Sequence, residues 1–336
     1  MKSVVIEQPG TLVIQTRPVP QPEAGEVRVK IRYASICGSD VHIWHGQNPF
    51  AKYPRVIGHE FFGVIDDVGA GVDRARIGER VVVDPVVNCG HCYPCSVGRP
   101  NVCAELQVIG VHRDGGFSEY ACAPADNAYR IPDAIPDKLA SLVEPFTIAA
   151  NICAFLQPTP QDVALIYGAG PMGLTALQVL KNVYGVGRVV VVDRLAERLT
   201  MASDSGADLT LNNSETPLAA QLKGSPPTLI IDAACHPSIL PEAIALASPA
   251  ARIGLLGFSG EPCAITQQSL TSKELSLFTS RLNSRRFPTV IDWLARGLLA
   301  PEKLVSHYMP LSRIAEAMTI FDQDPRGCCK VILSIH

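Results

Sequence analysis

Residues 163–193 constrain the fold more than any other stretch. Val163-Ala164-Leu165-Ile166-Tyr167 is an unbroken apolar run, the pattern of a parallel strand buried on both faces. Gly168-Ala169-Gly170-Pro171-Met172-Gly173 follows at once, and residues 174–183 read as a helix. Arg188-Val189-Val190-Val191-Val192-Asp193 is the next strand, and it ends in an acid. A glycine pattern alone is a weak signal. Strand, glycine turn, helix, strand and terminal acid together specify a βαβ unit built to receive a dinucleotide. Gly168, Gly170 and Gly173 permit the tight turn and the approach of backbone to a pyrophosphate. Pro171 and Met172 open the helix whose N–H groups and dipole favour that anion. Asp193 can accept from both hydroxyls of an adenosine ribose and would repel a 2′-phosphate, so NAD is expected over NADP. Arg194, directly after the acid, weakens that preference. A doubly wound domain without a nucleotide is the competing reading.

The alternation continues. Leu229-Ile230-Ile231-Asp232, Arg252-Ile253-Gly254-Leu255-Leu256-Gly257 and Leu275-Ser276-Leu277-Phe278 read as further strands with helices between. A helix over 288–297 and a last strand, Lys330-Val331-Ile332-Leu333, are expected to pack back on the start of the chain. That start is β-rich. Val27, Val29 and Ile31 alternate with Arg28, Lys30 and Arg32, and short β-type runs follow at 55–57, 63–65 and 80–83. With 336 residues, two domains are expected.

Two groups of residues in the β-rich part have metal-ligand chemistry. Cys37-Gly38-Ser39-Asp40-Val41-His42 and Gly58-His59-Glu60-Phe61-Phe62-Gly63 supply a thiolate, an imidazole and a carboxylate. Three such ligands leave one position of a zinc ion open, which is the catalytic arrangement. Downstream, Cys89-Gly90-His91-Cys92-Tyr93-Pro94-Cys95 is followed by Cys103, among residues that cannot build a core. A metal supplies what packing cannot. A disulfide pair is disfavoured by a reducing compartment. An iron–sulfur cluster matches the first three cysteines, but the last gap differs and no proline follows Cys103. A closed structural zinc site of four thiolates is favoured, which leaves His91 as a surface residue. Glu144 stands alone in the apolar run Leu142-Val143-Glu144-Pro145-Phe146. A helix end touching solvent and a buried carboxylate beside a metal both fit.

Composition narrows the partners. The net charge of −3 gives no reason to expect nucleic acid or an anionic membrane surface. The uncharged run 163–180 has the length of a membrane span, but its glycines and Pro171 argue for strand, turn and helix. With no export signal apparent, a cytoplasmic location is expected, and the eleven cysteines are read as free or metal-bound.

The 37–42 and 58–63 motifs, the four-cysteine lobe and the 168–173 fingerprint with Asp193 resemble, over essentially the whole chain, the zinc-containing medium-chain alcohol dehydrogenase family. Leu142-Val143-Glu144-Pro145 resembles its sorbitol and threonine dehydrogenase branch. Asn48-Pro49-Phe50-Ala51-Lys52-Tyr53-Pro54 and Asp232-Ala233-Ala234-Cys235-His236-Pro237 resemble a bacterial group of starvation-sensing dehydrogenases and hexonate 5-dehydrogenases. The latter act on sugar acids such as L-gulonate and L-galactonate. The resemblance implies an α/β architecture in three parts. A GroES-like β-rich catalytic domain covers 1–150, with the structural zinc lobe at 89–103. A Rossmann domain with a doubly wound parallel sheet covers 151–286, and the segment 287–336 completes the catalytic domain.

The resemblance also implies roles. The catalytic zinc takes Cys37, His59 and Glu60, with Glu144 beside it as an occasional fourth ligand or through water. Arg198 lies near the adenosine end of NAD. Gly257, Ser280 and Arg281 belong to the cofactor site, with Arg281 reaching the nicotinamide end and the substrate. Ser39 accepts the alcohol proton and passes it through the cofactor ribose to His42 and solvent. The expected reaction is NAD-linked oxidation of a secondary alcohol of a sugar acid, a hexonate such as L-gulonate or L-galactonate, at C5, with polyol or L-threonine oxidation as the alternative and a non-catalytic starvation-response regulator as a remote one. A tyrosine of the sorbitol pocket is replaced here by Ile43. A substrate carboxylate would need a cation, for which Lys52, Arg113 and Arg281 are candidates. A small-molecule substrate and a homodimer or homotetramer, through the Rossmann sheet edge, complete the expectation.

Overall fold

The computed structural model describes residues 1–335. The chain divides into two compact units. The first holds Met1–Glu144, Phe287–Ala295 and the residues from 305 on, and the second holds Pro145–Arg286 and Arg296–Leu304.

The first unit is built on a seven-stranded sheet centred on the long strand Glu26–Ser35. Its alternating side chains put Val27, Val29 and Ile31 in the core. Antiparallel neighbours flank it: Glu60–Val68 on one side and the C-terminal strand Lys330–Ser334 on the other. Register matters here. Ser35 sits opposite both Glu60 and Ile332. The residues just beyond Ser35, just before Glu60 and just before Ile332 are therefore gathered at one end of the sheet.

The second unit is a six-stranded, all-parallel sheet. Its spatial order is Leu209–Asn212, Arg188–Asp193, Val163–Tyr167, Leu229–Asp232, Arg252–Leu255, Ser276–Thr279. This is the doubly wound Rossmann order, in which the chain reverses direction across the sheet beside the first strand. The central strands are buried on both faces, as their unbroken valines and isoleucines require.

Three expected boundaries shift. The first unit ends at Glu144 rather than at residue 150, because helix Val143–Leu156 continues into the second unit, where Asn151 Nδ2 donates to Ser280 Oγ at 2.8 Å. The stretch Arg296–Leu304, expected with the C-terminal part of the first domain, belongs to the second unit. Gln178 clamps it there, donating to the Ala300 carbonyl (3.1 Å) and accepting from its N–H (2.8 Å). The helix expected over 174–183 is α-helical over Pro171–Gln178 and widens to a π-turn over Val179–Val183. No helix among the described residues is long and apolar enough to cross a membrane.

Candidate active site

Cys37 lies two residues beyond the strand that ends at Ser35 and N-caps the helix Gly38–Trp44. Glu60 opens the neighbouring strand, with His59 just before it. The ligand atoms of Cys37, His59 and Glu60 lie within 4.8 Å of one another. Asp40 ties the two segments together: Oδ2 accepts from Cys37 N–H (2.9 Å) and Oδ1 from Gly58 N–H (3.0 Å). Gly58 itself has φ +92°, and a Cβ there would run into the Phe117 ring, so only glycine delivers His59 to this place. His59 Nδ1 is buried, makes no hydrogen bond and lies 3.7 Å from Asp40 Oδ1. Burial disfavours the imidazolium, but Asp40 and Cys37 outweigh it and hold His59 well above its ordinary range. Thiolate, imidazole and carboxylate at this spacing, with a carboxylate behind the imidazole, fit a zinc ion.

Two more ionisable groups are buried here. Glu144, 4% exposed, is pushed up to about 8, foremost by burial and against the pull of His59. In the sequence Lys330 stands only as the start of the last strand. Its ammonium donates to both Glu60 oxygens (2.5 and 2.7 Å) and to the Ile36 carbonyl (3.1 Å), while Ser35 Oγ donates to Glu60 Oε2. Lys330 and Asp40 are the residues that motif reading missed. A lone lysine heading an otherwise apolar strand is the signal that marks the first. Ser39 is half-buried on the helix after Cys37. His42 is exposed one turn later, beside a cavity shared with Gln47 and the His45–Asp322 pair (3.0 Å).

The four-cysteine lobe is tied off by the small ladder of Val86–Val87 with Gln107–Val108. Its sulfurs stand 3.5 Å (Cys92–Cys95), 3.5 Å (Cys89–Cys103) and 3.7 Å (Cys92–Cys103) apart. A tetrahedral zinc with sulfur at about 2.3 Å separates its ligands by about 3.8 Å. Backbone N–H groups of Cys89, Cys92, Ala104 and Glu105 already point at the sulfurs. None of the eleven cysteines is in a disulfide.

In the second unit Gly170 caps the helix that opens with Pro171 and Met172. A Cβ on Gly173 would stand 1.8 Å from the Gly168 carbonyl oxygen, so helix and strand can meet only at glycine. Asp193 Oδ2 accepts from Ala169 N–H (2.8 Å) and Oδ1 from Leu195 N–H (2.9 Å), which locks the acid to the glycine turn. Arg194 is exposed, and Arg198 is half-buried on the helix Ala196–Asp204. Gly257 packs against Cys235, Ser280 is held by Asn151, and the Arg281 guanidinium lies 5.8 Å from the ring centre of exposed Phe258.

Two expectations about the substrate pocket change. Arg113 is engaged by Glu26 in an ion pair and is no longer a candidate anchor. Ile43 is fully buried in the core, out of contact with solvent, with its carbonyl accepting from Tyr53 Oη at 2.6 Å. Lys52 is exposed.

Comparison with known proteins agrees with this geometry. Residues 23–133 match the alcohol dehydrogenase GroES-like domain, and residues 171–296 match the zinc-binding dehydrogenase domain. The chain is 62% identical to the starvation-sensing protein RspB of Escherichia coli K12 over 336 residues, 99% of each chain. The chain belongs to the zinc-dependent medium-chain alcohol dehydrogenases. It is 33% identical to the L-galactonate-5-dehydrogenase of E. coli K12, over 94% of each chain. It also superimposes on the rspB alcohol dehydrogenase of E. coli CFT073, solved with NADH, with a TM-score of 0.97, 61% identity and 99% of each chain covered. The protein is thus an oxidoreductase of CH–OH donors, with zinc and NAD as its cofactors.

Proposed function

We propose that this enzyme oxidises a secondary alcohol of a sugar acid, a hexonate such as L-gulonate or L-galactonate at C5, with NAD as acceptor. The likeness to L-galactonate-5-dehydrogenase over 94% of the chain carries the choice of substrate class. Cys37, His59 and Glu60 hold the catalytic zinc with Glu144 beside it, and Cys89, Cys92, Cys95 and Cys103 hold the structural one. The residues Gly168–Gly173, Asp193, Arg198, Gly257, Ser280 and Arg281 receive NAD. When bound, zinc makes the substrate hydroxyl acidic and the nicotinamide accepts the carbinol hydrogen as hydride.

The chain's own residues do the rest. Ser39, half-buried next to the ligand Cys37, takes the hydroxyl proton while giving up its own toward His42. His42, exposed on the same helix, returns it to solvent. Lys330 and Ser35 hold Glu60 in one orientation. Arg281 and exposed Lys52 are the candidate anchors for the substrate carboxylate. A cytoplasmic location goes with this reading. A homodimer or homotetramer is the working assembly.

The test is NADH formation across a stereochemical panel of hexonates, hexitols and L-threonine. The highest kcat/KM should fall on a hexonate. A hexitol or L-threonine as the best substrate replaces this reading with that one, and inactivity on every member turns the assignment toward a regulator.

A further inference from the structure

A second group of metal-ligating side chains touches the lobe from outside. Cys89, His91 and Glu105 bring a sulfur, a ring nitrogen and a carboxylate oxygen within 4.8 Å of one another. Cys89 belongs to this group and to the four-thiolate group alike. His91 Nδ1 lies 2.9 Å from the Cys89 carbonyl oxygen. A carbonyl can only accept, so Nδ1 carries a proton and Nε2 is the nitrogen turned toward Glu105. A backbone carbonyl that fixes the tautomer in this way is the usual support of a metal-ligating histidine. Nε2 lies 3.7 Å from Glu105 Oε1. Two such ligands on one tetrahedral zinc stand about 3.3 Å apart, within reach of two mobile side chains. Both are open to solvent, His91 at 75% and Glu105 at 68%, whereas Cys103 is buried and the other three cysteines are half-buried.

We infer that Cys89, His91 and Glu105 form an entry site for divalent metal, through which the lobe is loaded and its ion exchanged. The inference rests on the reading that the four thiolates hold zinc. An ion captured by His91 and Glu105 is already in contact with one lobe sulfur. It can then exchange nitrogen and carboxylate oxygen for the remaining sulfurs without returning to bulk water. In an empty lobe the thiols give up their protons to solvent as the sulfurs bind. Without such a site, an incoming ion must first meet sulfurs that the lobe's backbone partly shields.

The experiment adds Cd2+ to the zinc-loaded full chain and follows the thiolate-to-cadmium absorbance that reports a four-sulfur site. His91→Ala and Glu105→Gln, singly and together, are compared with wild type and with Glu105→Asp. These are exposed side chains outside the catalytic machinery, so zinc content and dehydrogenase activity should stay unchanged. The double substitution should slow cadmium entry by about tenfold, the lower end of what support shells of metal sites contribute, and Glu105→Asp should keep most of the rate. Entry at the wild-type rate or faster in the double variant, with the absorbance reaching its full height, overturns the entry site while leaving the four-thiolate reading intact. Absence of that absorbance in wild type overturns both.

Discussion

Lys330 offers the sharpest test of how the candidate site is held together. Its side chain is 1% exposed and that of Glu60 is 0% exposed, and the ammonium reaches both carboxylate oxygens. Burial pulls the lysine down, but Glu60 and Cys37 more than offset this, so it stays above the usual lysine range. A raised lysine contributes its full stability below the unfolded value of about 10.4 and loses it only as pH climbs through the folded one. At neutral pH the pair is therefore fully formed. Lys330→Met keeps the length and removes the charge, leaving Glu60 with the Ser35 hydroxyl alone. Removing one partner of a buried pair costs about 3–5 kcal/mol. For a domain of 150–250 residues this corresponds to about 2–4 °C per kcal/mol, a fall of about 6–20 °C in the melting midpoint. The assay is thermal denaturation of chelator-stripped protein followed by circular dichroism. Midpoints are compared rather than free energies, since a chain of two units need not unfold in one step.

Two companion measurements separate the ion pair from simple packing. Adding Glu60→Gln to Lys330→Met removes the orphaned charge and should restore most of the lost midpoint in metal-free protein. Reloading zinc should restore part of it in the single variant, because a cation again faces Glu60. If Lys330→Met melts within about 1–2 °C of wild type, the scale of an ordinary surface change, or if the double variant is no better than the single, the pair does not carry this part of the fold.

Three further outcomes can be checked. Ser39→Ala should lower kcat by about 10²–10⁴ with little change in KM, the scale of a lost proton-transfer group, and near-normal turnover removes Ser39 from the proton path. Gly173→Ala drives a Cβ to 1.8 Å from the Gly168 carbonyl oxygen. It should abolish NAD binding in a fluorescence titration while zinc content persists, and unchanged affinity would contradict the turn geometry. Glu144 keeps its proton in the folded metal-free protein up to about 8, mainly through burial, whereas an unfolded glutamate loses it near pH 4.3. Metal-free stability should therefore fall as pH rises between these values. Glu144→Gln should flatten that slope, and parallel melting curves for the two proteins would refute it.

Which parts of this were legible in the residues follows from how far apart the partners lie. The glycine turn, the terminal acid and the four cysteines are local patterns, and their geometry follows from spacing along a few turns of chain. Lys330 could not be found that way. Its partner Glu60 is 270 positions distant, and only the register that sets Ser35 opposite both Glu60 and Ile332 brings them together. Arg113 failed as a carboxylate anchor for the same reason, since its partner Glu26 lies 87 positions earlier. The hidden lysine also alters the electrostatics of the part that was legible. Cys37 as thiolate and Glu60 as carboxylate bring two negative charges, and Lys330 cancels one. A divalent ion among them adds positive charge beside Glu144, which favours its ionised form. Without the ion, the same carboxyl is neutral at pH 7 because of burial. Glu144 is thus the group whose protonation responds to the metal, while Glu60, fixed by Lys330 and Ser35, keeps its place in either state.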